Sequence, residues 1–188
     1  MKLSCISDLH LEQRAVFDPP RPEFDVLVVA GDVSENIEEA IHVTAKLAGG
    51  KPAVFVGGNH EFRALTHDET MIIGIHYGER NGVHFLENDT VEIGGVRFAG
   101  CTLWEPGDAK YEASVEASVR AGADVVVTHY EPHPSIWTAV GAHLWIYGHR
   151  HGFSDRRIGH NRLVRNALGY MHEKIAGEPA RDGLVIEI

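Results

Sequence analysis

Five short polar elements punctuate this chain: Asp8-Leu9-His10, Gly31-Asp32, Gly58-Asn59-His60, Thr128-His129 and Gly148-His149-Arg150-His151. Their side chains offer neutral imidazole, carboxylate and amide oxygen, the mixed nitrogen and oxygen donors that suit Mn, Fe, Zn or Ni. Two such shells sharing one carboxylate would hold two divalent ions at the spacing used for in-line displacement at phosphorus. A single Gly-His-x-His arises by chance on the order of 0.1 times in a chain with this much Gly and His. Asp-x-His and Gly-Asp arise more easily, as Gly107-Asp108 illustrates. The weight rests on the ordered set, because independent coincidences multiply.

Each polar element ends or follows an apolar run, which is how a buried strand delivers donors to a loop. The runs are Leu3 to Ile6, Phe24 to Ala30, Ala53 to Val56, Val125 to Thr128 and Leu144 to Tyr147. Between them, about Glu35 to Leu47, Thr66 to Arg80 and Asp108 to Ala121 carry helical periodicity and good helix formers. Ser34 reads as the N-cap of the first, and Gly49-Gly50 with Pro52 as its stop. Strand alternating with helix predicts an α/β fold, whose ligand sites form at the carboxyl ends of the strands. Hairpin-like material follows at Thr90 to Ile93 and Val96 to Leu103, with short runs near Arg162 to Val164 and Leu184 to Ile188, so the sheet should be mixed.

At 188 residues the chain reads as a single domain spanning 1–188, with a substantial core. Its 44% hydrophobic and 23% charged residues are ordinary for a globular protein. A net charge of −10, spread along the chain, argues against broad binding to nucleic acid, although a local positive site can still draw an anion. Cys5 and Cys101 lie in apolar runs and read as reduced core residues. No stretch is long and apolar enough for a signal peptide or a membrane span, and the functional pattern starts at Asp8, so the cytoplasm is the expected location. Asp18-Pro19-Pro20-Arg21-Pro22 reads as a stiff surface loop.

The ordered series resembles the signature of the calcineurin-like metallophosphoesterases: Asp-x-His, Gly-Asp, Gly-Asn-His-(Asp/Glu), Val-x-x-His and Gly-His-x-His. Here the third element is Gly58-Asn59-His60-Glu61 and the fourth Val126-Val127-Thr128-His129. The match runs from Asp8 to His151, and Asn166-Ala167-Leu168-Gly169-Tyr170 is similar to an Asn-Pro-x-Gly-Tyr segment of small bacterial and phage members. The resemblance implies a four-layer αββα sandwich, two mixed β-sheets face to face with helices outside. It also implies Asp8, His10 and His151 on one metal, Asn59, His129 and His149 on a second, and Asp32 bridging, with Mn the favoured ion.

With two carboxylates among these ligands, two divalent ions and a hydroxide leave a centre of roughly +1, which attracts a phosphoester despite the acidic surface. The implied reaction is hydrolysis of a phosphomonoester or phosphodiester by a metal-bridging hydroxide. His60 would be the general acid, and Glu35, three residues after Asp32, would orient it where many protein phosphatases have Asp. Two branches are set aside. Protein serine/threonine phosphatases continue with Asp-Arg-Gly where this chain has Glu35-Asn36-Ile37, and purple acid phosphatases have a tyrosine at the Glu35 position and lack the first histidine.

Arg63 and Arg150 are candidates for gripping substrate phosphate. Trp104, Tyr130 and Trp137 could stack on a ring, with core or rim packing the plainer reading, and His133 is close enough in sequence to reach the site. The expected substrate is a small phosphoester or nucleotide. A nuclease is the alternative and would need Arg14, Arg21, Arg63 and Arg150 to cluster in a positive track. A metal-free scaffold of the same fold is the alternative of another class.

Overall fold

The computed structural model describes residues 1–14, 17, 19–20 and 22–188; Asp18 and Arg21 of the proline-rich segment therefore lie outside the described residues. In chain order the elements are β1 (Lys2–Ile6), β2 (Val26–Ala30), α1 (Ile37–Ala48), β3 (Ala53–Val56), α2 (His67–Asn81), β4 (Val83–Leu86), β5 (Asp89–Ile93) and β6 (Val96–Cys101). There follow α3 (Tyr111–Arg120), β7 (Val125–Thr128), α4 (Pro134–Val140), β8 (Leu144–Tyr147), β9 (Gly152–Ile158), β10 (Asn161–Ala167) and β11 (Val185–Glu187). A single 3-10 turn, Leu11–Gln13, lies just after β1.

The strands form two mixed sheets. One has the order β11-β1-β2-β3-β4, parallel except for β11. The other has the order β5-β6-β7-β8-β10-β9, parallel in its centre with antiparallel β5 and β9 at its edges. Parallel neighbours need a crossover, and α1 and α2 supply two of them on the outer face of the first sheet. Central strands covered on both faces read as continuous apolar runs, and β2 is buried at all its positions.

Side chains on a strand alternate faces, so each run divides between layers. Val26, Val28 and Ala30 point into the core between the sheets, where Leu3, Cys5 and Val56 meet Phe98, Val127, Ile146 and Val164. Leu27 and Val29 point the other way, onto Ile37 and Ile41 of α1. Beyond the second sheet, Val126 and Trp145 pack under Ile136, Trp137 and Val140 of α4. These three clusters separate four layers, the expected sandwich. Both cysteines are buried and free. Burial pushes the Cys101 thiol up to about 12 and raises that of Cys5 further, which leaves both inert.

Helix ends differ from expectation for local reasons. α1 starts at Ile37 because the cap is Asn36, whose side chain accepts the Glu39 N–H at 3.0 Å, while Ser34, two residues earlier, accepts the Asn36 N–H at 3.1 Å. Gly49 closes it at φ 60. α2 begins after Thr66 in a reciprocal capping box with Glu69. α3 starts three residues after Asp108, whose carboxylate accepts the Lys110 N–H at 2.8 Å and holds a turn there. β6 ends at Cys101, because Leu103 and Trp104 take φ of 64° and 25°. β4, β9 and α4 lie outside the runs expected from the sequence; β9 is largely exposed, which masks a strand pattern, and the seven-residue α4 is too short to show a helical one. Among the described residues no helix is long and apolar enough to cross a membrane.

Thr66→Ala removes one half of the capping box and should lower the unfolding free energy by about 1 kcal/mol. At this size that is a fall of about 2–4 °C in thermal midpoint, read by circular dichroism. No fall would mean the box contributes nothing to the fold.

Candidate metal centre

β1, β2, β3, β7 and β8 all end on one edge of the sandwich, and the polar elements are the loops that leave them. The two sheets are stitched there. Ser7 bridges across to Ala167, the last residue of β10; within the first sheet Asp8 N–H donates to Gly31 O at 2.9 Å and His10 N–H to Asp32 O at 3.0 Å, and within the second Gly148 N–H donates to His129 O at 2.9 Å. These tight turns force unusual backbone. Asp8, His10, Asp32 and His149 take φ of 57°, 47°, 55° and 65°. Left-handed conformations in non-glycine residues cost about 1–3 kcal/mol each and gather where function requires a side chain to be aimed. Gly31, at φ 83°, has no such penalty, and a Cβ there would lie 2.6 Å from both Gly58 N and His129 Nδ1. The loops touch backbone to backbone.

The donors converge on Asp32, which is 2% exposed. Its Oδ2 lies 3.4 Å from His129 Nε2, 3.8 Å from His60 Nε2 and 4.0 Å from His10 Nε2. On one side, His10 Nε2 and His151 Nε2 are 3.1 Å apart, and His151 Nε2 is 3.5 Å from Asp8 Oδ1. On the other, His129 Nε2 is 3.2 Å from Asn59 Oδ1 and 3.3 Å from His149 Nδ1. The seven residues expected as ligands thus come together as two groups with Asp32 between them.

The outward ring nitrogens explain which way the lone pairs point. His129 Nδ1 donates to Ala30 O at 2.8 Å, His10 Nδ1 faces Glu12 Oε1 at 3.1 Å, and His151 Nδ1 faces a Glu173 oxygen. Each acceptor holds a ring proton on the outer nitrogen, so the inner nitrogen is the one a metal would take. Electrostatics without an ion follow from the same crowding. Burial alone would raise the Asp32 carboxyl, but the His129 charge outweighs it and holds Asp32 well below the usual carboxylate range. Burial likewise opposes a charge on His129, and Asp32 overrides it, lifting the imidazole to about 9. Burial lowers His10 and His149.

Around this centre stand the other residues singled out in the sequence. His60, 3% exposed, turns Nε2 inward and donates its backbone N–H to Asp32 Oδ1 at 2.9 Å. Glu35 Oε1 lies 3.8 Å from His60 Nδ1, but is 2.9 Å from Arg63 Nη1. Arg63 is half-exposed beside His60, whereas Arg150 points outward at 73% exposure with Glu131 at 3.5 Å. Tyr130 packs on His149 with ring centroids 4.2 Å apart, and Trp104 packs on Phe62 and His67. Trp137 is core, its Nε1 bonded to Pro132 O, and His133 caps α4.

Residues 1–179 match the family model of the calcineurin-like phosphoesterase superfamily domain. The chain belongs to that superfamily. Among solved structures it is similar to the phosphopantetheinyl hydrolase PptH of Mycobacterium tuberculosis, at 19% identity and TM-score 0.66, over 90% of this chain and 89% of that one. It is also similar to a candidate 5′-nucleotidase of Staphylococcus aureus, at 12% identity and TM-score 0.56, over 90% of this chain and 48% of that one. At such identities the likeness concerns the fold. No curated protein matches the chain.

Calcineurin-like phosphoesterases are metal-dependent, and the residues here fit that requirement. Metal–nitrogen bonds of about 2.0–2.1 Å set neighbouring tetrahedral donors about 3.3 Å apart, close to the spacings found in both groups. Asp8 Oδ1 is buried with no hydrogen-bond partner, which a bound cation would relieve. The clusters Asp8–His10–His151 and Asp32–His129–His149 each bring three donor atoms within 4.8 Å of one another.

Three further residues matter that carried no assigned role in the sequence: Glu12, Tyr170 and Glu61. Glu12 Oε1 is 3.0 Å from His60 Nδ1, and Tyr170 stacks on His10 at 4.2 Å with its hydroxyl 3.4 Å from His60 Nε2. Glu61 is the buried clamp. Its Oε1 accepts N–H from Val33 and Ser34 at 2.7 and 3.1 Å, and its Oε2 accepts from Asp32 and Gly58 at 2.9 and 2.7 Å. Burial and then the Asp32 charge push its carboxyl up to about 7. Four donors leave no acceptor for a carboxyl proton, so the pocket fits the ionised form.

Glu61→Gln would turn one oxygen into an amide facing two N–H donors. Each stranded donor costs about 1–3 kcal/mol, so the thermal midpoint should fall by about 4 °C or more. An unchanged midpoint would contradict the clamp.

Proposed function

We propose that this chain is a binuclear metal-dependent hydrolase of phosphomonoesters or phosphodiesters, acting on a small phosphoester or nucleotide. The observation that carries this reading is the position of Asp32 Oδ2 between two donor groups, each of which draws on both sheets. Asp8, His10 and His151 would hold one ion, Asn59, His129 and His149 the other, with Asp32 common to both and Mn the favoured metal. Divalent ions bound there supply positive charge for the phosphoryl oxygens and lower the pKa of water towards neutrality.

The chain's own residues divide the remaining work. His60 Nε2, on the Asp32 side of the cleft, would hold the proton that the leaving oxygen requires. Arg63, braced by Glu35 at 2.9 Å, is placed to meet a phosphate oxygen from the same side. Tyr170 and Tyr130 flank the cleft on the His10 and His149 sides, narrowing it around the phosphoryl group. Arg150 would need to leave Glu131 to reach a substrate. We read residues 1–188 as one catalytic domain, since donors from both sheets complete the site.

The complete donor set favours an enzyme over a metal-free scaffold. A small substrate is favoured over nucleic acid because the described candidates for a positive track are engaged within the chain. Arg14 bonds Leu9 O and Gly169 O, while Arg63 and Arg150 face Glu35 and Glu131.

With added Mn, the protein should take up two equivalents of metal and hydrolyse an aryl phosphate monoester, a bis-aryl phosphodiester or both. Neither uptake nor turnover would sink the reading. Asp32→Asn should abolish activity, with a loss of about 10³-fold or more, and deplete both ions together. Retention of both ions in that variant, measured by elemental analysis, would count against the shared carboxylate. His60→Asn should keep the metals and slow poor leaving groups most, by about 10²–10⁴-fold. Equal slowing of good and poor leaving groups would contradict its role as acid.

A further inference from the structure

A proton donor is useful only if its proton sits on the right nitrogen. His60 has a ring whose Nδ1 faces outward and whose Nε2 faces the cleft, 3.8 Å from Asp32 Oδ2 and 3.4 Å from the Tyr170 hydroxyl. What stands against Nδ1 therefore decides the ring's tautomer and its angle. Three groups approach it: Glu12 Oε1 at 3.0 Å, Arg63 Nη1 at 3.2 Å and Glu35 Oε1 at 3.8 Å. Arg63 is itself a donor and has a nearer acceptor in Glu35 Oε1 at 2.9 Å. Glu35 is thus beyond hydrogen-bond length from His60 and bonded to Arg63, and Glu12 is the acceptor left for the Nδ1 proton.

The same Glu12 oxygen also lies 3.1 Å from His10 Nδ1. A carboxylate oxygen has two lone pairs, so it can accept both imidazole protons at once. The two rings meet edge to face with centroids 4.5 Å apart, which brings both Nδ1 atoms to one acceptor while both Nε2 atoms face Asp32. Glu12 reaches them from the 3-10 turn that follows His10. His10 caps that turn, and Gln13 N–H bonds His10 O at 2.9 Å.

We propose that Glu12 is the positioning residue of this site: one carboxylate oxygen fixes the tautomer of the proton-carrying His60 and of His10 together, while Glu35 serves Arg63. The inference rests on the function proposed above for what His60 does. The tautomers themselves can be read without turnover. One oxygen then ties the metal group to the proton donor, so a shift in either ring is felt by the other.

The test uses Glu12→Ala, Glu12→Gln and Glu35→Ala in the full chain. In the metal-free wild type, ¹⁵N resonances of the His60 ring should report a proton held on Nδ1, which leaves Nε2 as the nitrogen that gains and gives the transferred proton. Glu12→Ala should lose that pattern, and Glu35→Ala should keep it. At saturating Mn, Glu12→Ala should lower kcat by about 10- to 100-fold with KM within about two-fold, most for poor leaving groups. Glu12→Gln, whose carbonyl oxygen still accepts, should recover most of the rate. The wild-type tautomer persisting in Glu12→Ala, or the loss of kcat and tautomer appearing in Glu35→Ala instead, would overturn the inference. A wild type that keeps the tautomer yet hydrolyses neither ester would overturn the proposed function and leave the positioning by Glu12 standing.

Discussion

A carboxylate that is 2% exposed holds its charge only if the surrounding structure supplies compensation, and Asp32 draws that compensation from both sheets. His10 comes from the loop after β1, His60 from the loop after β3 and His129 from the end of β7. Burial disfavours the ionised form, and the nearby imidazoles reverse that preference. Those contacts require the two sheets to meet face to face with their carboxyl edges aligned. The core between the sheets, from Leu3 and Val28 to Val127 and Ile146, is what holds them so. Packing and chemistry are therefore one constraint: the sheets are locked in the arrangement that gives Asp32 its neighbours.

Aiming side chains this way strains the backbone, and the strain has visible counterweights. Left-handed φ at Asp8, His10, Asp32 and His149 would be expensive in free loops. Around Asp32 the cost is offset by Glu61, which gathers N–H groups from the β2 loop and from Gly58 onto one buried carboxylate. Around Asp8 it is offset by bonds to Gly31, Gly169 and His149. Buried charges with full sets of donors make a rigid frame, and the donor atoms inherit that rigidity.

The sequence exposed the site more fully than its surroundings. Apolar strands ending in Asp, Asn or His announce donors at one sheet edge, and the seven residues that gave this signal lie together in space. The unbroken apolar run of β2 likewise foretold that the strand is buried. What stayed hidden depended on distance across the fold. Glu12 follows His10 by two residues, but only folding brings it to His60, forty-eight residues on. Glu61 sits inside a quoted motif, yet three of its four bonds reach back to a loop about 28 residues earlier. β9 carries exposed charged residues over most of its length, which masks strand periodicity, and α4 is too short to show a helical one. α1 starts later than expected because Ser34 and Asn36, two residues apart, both offer a capping oxygen and only Asn36 accepts an N–H three residues on.

The central claim is that one buried carboxylate stands between two metal positions, each built from residues of both sheets. Anomalous diffraction from crystals grown with Mn tests it most directly. Two peaks should appear, one on each side of Asp32, the first contacted by Asp8, His10 and His151 and the second by Asn59, His129 and His149. A single peak, or peaks that Asp32 does not touch, would contradict the account.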